Sequence, residues 1–434
     1  MKKLFPVLLL VYSIPALAQT SLKNTVSKKA DSLETQIVAW RRDFHEHPEL
    51  GNHEFRTAGV IAKYLQSLGL EVKTGVATTG VVGILRGGHP GPVIALRSDM
   101  DALPITERTD VPFKSTVKTT YMGQEVGVMH ACGHDSHMAM LMATAQILAS
   151  IKSELHGTVK FIFQPAEEGL PPGEKGGAEE MVKEGVLENP KVDVIFGQHI
   201  QSYQPVGTIA YRPGGDMAAV NDLQIIVKGR GSHGAYPWSA VDPIVTSAQI
   251  INNLQTIVSR NLHITDNPGV VTIGAINGGN RGNVIPESIT MLGTVRTFSA
   301  ADEKLFIERI KQIATKTAEA NGAVAEVNIP YSTHYPVTYN NPELVAEMLP
   351  TLQTTAGIDH IILRQAETGA EDFSFYEQKV PGIFIHLGGL PKGADPATAP
   401  AHHTPNFFID ESGFPLGVKA LCDLTLDYMS AHSK

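Results

Sequence analysis

Hydrophobic positions along this chain change period in a regular order. Leu33, Ile37 and Trp40, then Ala58, Ile61, Ala62 and Leu65, recur at helical spacing. Pro48 and Gly51 break that pattern, so the polar run RRDFHEHPELGNHE reads as a turn between helices, and His45, His47 and His53 as residues lining it. Short apolar runs at Leu70 to Lys73, Val81 to Leu85 and Val93 to Leu96 read as strands. A helix rich in Met, Ala and Leu is expected from about 137 to 151 and a buried strand over Gly157 to Phe163. A helix over Gly176 to Glu184 and a strand over Val192 to Phe196 follow. Strands and helices alternating in this way predict an α/β fold, a mostly parallel sheet flanked by helices.

The pattern shifts near Arg212 to Gly215. Alternation over Asp222 to Lys228 predicts a half-buried strand, followed by a helix over Ile244 to Ser259 and strands over Val270 to Ile276 and Ser288 to Thr297. A helix from about 301 to 320 and a strand over Val324 to Ile329 complete a ferredoxin-like α+β order. Residues 216–333 are therefore expected to form a domain inserted into one made of 19–215 and 334–434. The Ser288 to Thr297 strand is expected at a sheet edge, open to pairing with another copy. Gly388-Gly389 reads as a loop, and Leu416 to Met429 as a final helix.

Composition narrows the class. The 434 residues suffice for two domains, and a net charge of -9 without a basic stripe excludes nucleic acid as a partner. Lys2 and Lys3, the apolar run Leu4 to Pro15, and Ala16-Leu17-Ala18 before Gln19 predict a secretory signal peptide over 1–18, cut near Ala18. An exported protein, periplasmic or secreted, follows. The apolar run is shorter than the roughly 20 residues of a spanning helix, so no stable membrane anchor is expected. The two cysteines differ in setting. Cys422 falls in an apolar helical pattern, whereas Cys132 lies within HACGHDSH, His130 to His137.

Thiolate, imidazole and carboxylate gathered at the mouth of a helix are the chemistry of a metal site. No second close cysteine pair exists, so this is no zinc finger, and further ligands must come from elsewhere. Successive strand ends supply candidates: Asp99 in RSDMDALP, Glu167 and Glu168 in FQPAEEG, and His199 in FGQH. The carboxyl ends of strands are where open α/β sheets build sites. An adjacent glutamate pair divides labour, one ligating metal and the other holding or moving a proton. Either His402 or His403, in AHHTPNFFIDE, is placed to close the site.

The motifs RSDMDALP, HACGHDSHMAM, FQPAEEG, FGQH, GSHGAYP, GNVIPE, GTVRTF, GAEDFSFY and HHTPNF occur in that order from about residue 40 to the C-terminus. Together they resemble the metal-dependent amidohydrolases that include hippurate hydrolase, N-acyl-amino-acid amidohydrolases and plant auxin-conjugate hydrolases, within the aminoacylase and glutamate carboxypeptidase group. The resemblance implies two divalent ions per subunit, zinc or manganese, held by Cys132, His134, Glu168, His199 and His403. It implies Glu167 as catalytic base and Asp99 as the aspartate that orients the metal site. The inserted domain is implied to mediate dimerisation and to act as a lid. His233, in GSHGAYP, is implied to stabilise the oxyanion, with Asn283 and Arg296 near the substrate carboxylate or amide. The wider group carries His-x-Asp where this chain has Arg97-Ser98-Asp99, which leaves the sharing of ligands between the ions open. His130 and His137 are then expected to pack or to support ligands, and Asp135 to cap the helix or to do the same. The implied substrate is an N-acyl amino acid. The alternatives are a dipeptidase or carboxypeptidase on short peptides and a non-catalytic exported metal-binding protein.

Overall fold

The computed structural model describes residues 14–171 and 173–433, with backbone alone for 14–20. The expected signal peptide lies outside the described residues, except for the backbone of 14–18 at the start of the helix Ile14–Ser32. The chain divides into two compact units. The first holds the residues up to Tyr211 with Pro342–Leu363 and Val380–Lys434, and the second holds Arg212–Asn341 and Arg364–Lys379.

The first unit is built on an eight-stranded sheet. Its order is Glu71–Val76, Gly80–Arg86, His156–Gln164, His89–Asp99, Val194–Pro205, Gly382–Leu390, Ile209–Tyr211, Ile361–Leu363. The four central strands run parallel, and their burial is almost continuous over the second half of His89–Asp99 and the length of Gly382–Leu390. Such strands are apolar on both faces because helices cover both. The helix His134–Ser150 is buried nearly throughout, and Glu34–Glu46 and Phe414–His432 pack on it. It begins at His134 rather than near 137 because Gly133, at φ +98, takes the left-handed turn into it.

Gly388 and Gly389, read from sequence as a loop, instead end a central strand. Gly388 pairs with Gln201, and a Cβ there would stand 1.8 Å from the Pro205 carbonyl oxygen. The doublet marks close backbone approach at the sheet's carboxyl end, not a turn.

The second unit contains an antiparallel sheet in the order Val270–Asn277, Ser288–Thr297, Ala219–Lys228, Val324–Asn328, with the helices Pro243–Leu254 and Ala300–Ala320. Ser288–Thr297 is not an edge. It pairs with Ala219–Lys228 on one side and Val270–Asn277 on the other, so both its hydrogen-bonding margins are used. The unit also exceeds 216–333. Gly214–Met217 pairs with Thr338–Asn340, and the Ala218 N–H donates to the carbonyls of Glu367 and Gly369. These bonds draw both flanks and the segment Arg364–Lys379, expected in the other domain, into this unit.

Candidate metal centre

Three parallel strands, a helix mouth and a loop of the first unit deliver the site. Asp99 ends one parallel strand and faces Gln164, the end of the next. The turn after Gln164 carries Glu167 and Glu168, His199 lies on the third strand, and Cys132 and His134 stand at the helix mouth. The loop before the last helix brings His402 and His403. Their ligand-type atoms form overlapping groups: Cys132, His134 and His199; Cys132, Glu168 and His403; His134, Glu167 and Glu168; Asp99, His134 and His137. Within each group all atoms lie within 4.8 Å of one another.

Hydrogen bonding assigns each imidazole. His134 Nδ1 lies 2.9 Å from the Asp101 carbonyl oxygen, so Nδ1–H donates and Nε2 points inward. That Nε2 is shut off from solvent and has no hydrogen-bond partner among the described residues. Instead it faces Asp99 Oδ2, Glu168 Oε1 and Glu167 Oε2 at 3.8, 3.8 and 3.9 Å. His199 Nδ1 donates to the Ile200 carbonyl at 2.6 Å, leaving Nε2 at 3.4 Å from Cys132 Sγ. His403 Nε2 lies 3.0 Å from Glu168 Oε1 and 3.3 Å from Cys132 Sγ.

Two other histidines are fully engaged. The Ile200 N–H donates to His137 Nε2 at 2.8 Å, so His137 Nδ1–H donates to Asp99 Oδ1 at 2.7 Å. The Ser202 N–H donates to His402 Nε2 at 3.1 Å, leaving His402 Nδ1–H facing Cys132 Sγ at 3.6 Å. Of the histidine doublet, His402 is engaged by the Ser202 amide, while His403 turns its Nε2 toward Glu168 and Cys132.

These residues fit a cation. A buried acceptor surrounded by carboxylates needs positive charge between them. Burial alone would lower the His134 pKa, yet Asp99, Asp101 and Glu168 carry it up to about 10. Burial, then Glu168 and Glu167, push the Cys132 thiol well up. Burial holds His199 well below its ordinary value, which keeps its ring neutral as a ligand must be. His134 Nδ1 also lies 3.2 Å from Asp101 Oδ1, so a carbonyl and a carboxylate together support this ring in the manner typical of a metal-bound imidazole. Where a His-x-Asp motif would put a further imidazole, Arg97 Nη1 donates to Asp99 Oδ2 at 2.8 Å and Nε to Gln164 at 2.8 Å. A guanidinium there braces Asp99 and ligates nothing.

The remaining expected site residues lie in the second unit. His233 pairs with Val284 in a short two-stranded ladder, and the Gly234 N–H donates to the Asn283 carbonyl at 2.8 Å, so these two are neighbours. Arg296 lies on another sheet, opposite Val220 and Val270.

A supporting network escaped the sequence reading. Asp135 caps nothing beyond its own neighbour. Its Oδ2 forms an ion pair with Arg41, whose Nε lies 2.9 Å away, and stands 2.7 Å from His45 Nδ1, while His45 Nε2 lies 3.2 Å from Glu107. All four side chains are buried or nearly so. The signal was present in the helical register: Ile37, Arg41, Phe44 and His45 share one face of Glu34–Glu46.

Fold and site together define a metal-dependent hydrolase of amide bonds. The model of Peptidase family M20/M25/M40 matches residues 95–427, and the chain belongs to that family. Thermostable carboxypeptidase 2 of Saccharolobus solfataricus is 38% identical over 408 residues, spanning 94% of this chain and 98% of that protein. N-acetylcysteine deacetylase of Bacillus subtilis is 38% identical over 396 residues, spanning 90% of this chain and 96% of that protein. Among solved structures, the Bacillus subtilis YXEP protein, described as a dinuclear metal binding peptidase of the M20 family, superposes with a TM-score of 0.76. It is 34% identical, covering 92% of this chain and 99% of that one.

Proposed function

We propose that this chain is an exported two-metal amidohydrolase that cleaves N-acyl amino acids, hippurate-like or other aryl and acyl conjugates, into a carboxylic acid and a free amino acid. The observation that carries the reading is the buried His134 Nε2, facing three carboxylates, two of which are the adjacent pair Glu167 and Glu168. Cys132, His134, Glu168, His199 and His403 would hold the ions, zinc or manganese. When bound, the ions lower the pKa of a water and polarise the scissile carbonyl. Glu168 is turned toward His403, which leaves its neighbour Glu167 to take the water's proton and pass it to the leaving amine. Asp99, fixed by Arg97 and His137, holds the His134 side of the cluster. In this reading His233 donates to the developing oxyanion, and Asn283 and Arg296 recognise the substrate's amide or carboxylate. The active species would be a homodimer formed through the second unit, and the export signal would be removed near Ala18.

A second reading is a carboxypeptidase or dipeptidase on short peptides, which the carboxypeptidase relative supports. The deacetylase relative supports N-acyl substrates. A screen of amine release decides between them. N-acyl amino acids, dipeptides and N-blocked peptides are offered to chelated enzyme with zinc or manganese added back. Faster turnover of N-acyl amino acids is expected. Preference for peptides would give the second reading, and metal binding without amine release a non-catalytic one.

A further inference from the structure

The run Pro48 to Glu54 is built against the turn that carries the glutamate pair. Glu54 is fully buried. Its Oε1 accepts the Ala166 N–H at 2.9 Å, and its Oε2 accepts the Thr79 hydroxyl at 2.5 Å. Ala166 stands at φ +54, a left-handed conformation that a residue with a Cβ keeps only when its surroundings impose it. A second buried carboxylate, Asp101 Oδ2, accepts the Glu168 N–H at 2.9 Å. The backbone amides on either side of Glu167 are thus each held by a carboxyl group. Gly51 lets the two turns touch, since a Cβ there would stand 3.1 Å from Ala166 Cα. Asn52 Nδ2 donates to the Lys175 carbonyl at 2.9 Å, tying down the far end of the same loop.

We infer that Glu54 is a positioning residue for Glu167: by accepting the Ala166 amide it fixes the left-handed turn from which that side chain projects. The inference rests on Glu167 being the base. Aim matters at such a position, because misplacing a reacting group by about 1 Å costs on the order of 100-fold in rate. The motif HPELGNHE, which looks like a plain turn, would on this account be part of the catalytic machinery's frame.

The test compares Glu54→Ala, Glu54→Gln and Glu167→Gln in the metal-loaded, full-length enzyme. The substrate is whichever amide the parent turns over fastest. Glu54→Ala is expected to lower kcat about 10- to 100-fold, with KM and bound metal near parent values. Glu54→Gln is expected to recover most of kcat, because its oxygen accepts from Ala166 and its amide nitrogen donates to Thr79. Should Glu54→Ala fail to fold, Thr79→Val is expected to show a smaller loss confined to kcat and restored by Thr79→Ser. An unchanged kcat in Glu54→Ala, a loss matched by loss of metal, or a Glu54→Gln enzyme as slow as Glu54→Ala overturns the inference. Full turnover in Glu167→Gln removes the base itself. An inactive Glu167→Gln beside an unimpaired Glu54→Ala overturns the positioning role alone.

Discussion

His403 Nε2 lies 3.0 Å from Glu168 Oε1, and the same nitrogen lies 3.3 Å from Cys132 Sγ. Imidazole, carboxylate and thiol from three distant segments therefore converge on one point, which a cation between them would occupy. Cys132→Ser replaces the softest donor of the set and is expected to lower bound metal in protein purified and dialysed beside the parent. His403→Ala is expected to do the same, while His402→Ala, which removes a donor to the thiolate rather than a ligand, should lower it less. Elemental analysis reads the result. Metal stoichiometry unchanged in both Cys132→Ser and His403→Ala moves the ligand roles elsewhere.

Glu167 is separable from its neighbour by the same measurement. Glu167→Gln keeps the size and removes the proton acceptor, so bound metal should stay near the parent value. Turnover should fall by about 100-fold or more, the range general-base catalysis supplies. Glu168→Gln should weaken metal binding as well as turnover. A Glu167→Gln enzyme with near-parent kcat would assign the base to another group.

The centre's residues were readable in the sequence because their types are costly to bury without purpose, and Asp99, Glu167, Glu168 and His199 fall on or beside successive strands while Cys132 and His134 open a helix. Asp99, Cys132, His134, Glu167, Glu168, His199 and His403 are brought together by that geometry. What the chain hid is whatever depends on a neighbour in space. His45 sits in a polar run that reads as a turn, and only the packing of Glu34–Glu46 on His134–Ser150 buries it beside Asp135. Gly388-Gly389 carries a turn signal, and only the Pro205 carbonyl beside it explains glycine within a strand. Residue types alone left the doublet His402-His403 open; the family resemblance pointed to His403, and the Ser202 amide that engages His402 is the contact in space that sets the two apart.

Arg41 and Asp135 give a stability prediction. Both are almost wholly buried, with Arg41 Nε 2.9 Å from Asp135 Oδ2, and Arg41 Nη1 also reaches Glu411 at 3.2 Å. Removing one partner strands the other's charge in a poorly solvated site. Arg41→Ala or Asp135→Ala is therefore expected to cost about 3–5 kcal/mol in denaturant unfolding. Arg42→Ala, whose partly exposed guanidinium meets Glu411, should cost about 1 kcal/mol or less. Equal costs for Arg41 and Arg42 would show that burial does not set the strength of this network.

Glu54 predicts a pH dependence of stability. Burial, and then the neighbouring charge of Asp101, raise its pKa from the ordinary 4.5 to about 8. Between those values the unfolded chain has released the proton that the folded protein still holds, so the folded state binds more protons. Stability from this group is therefore fully present below about pH 4.5 and is lost as pH rises toward 8. Glu54→Gln carries no such proton. Denaturation midpoints of chelated parent and Glu54→Gln protein, measured from pH 5 to 8.5, should separate steadily, with the parent losing stability relative to the variant as pH rises. Curves that stay parallel across that window would mean Glu54 is ionised throughout, its charge held by Thr79 and the Ala166 amide.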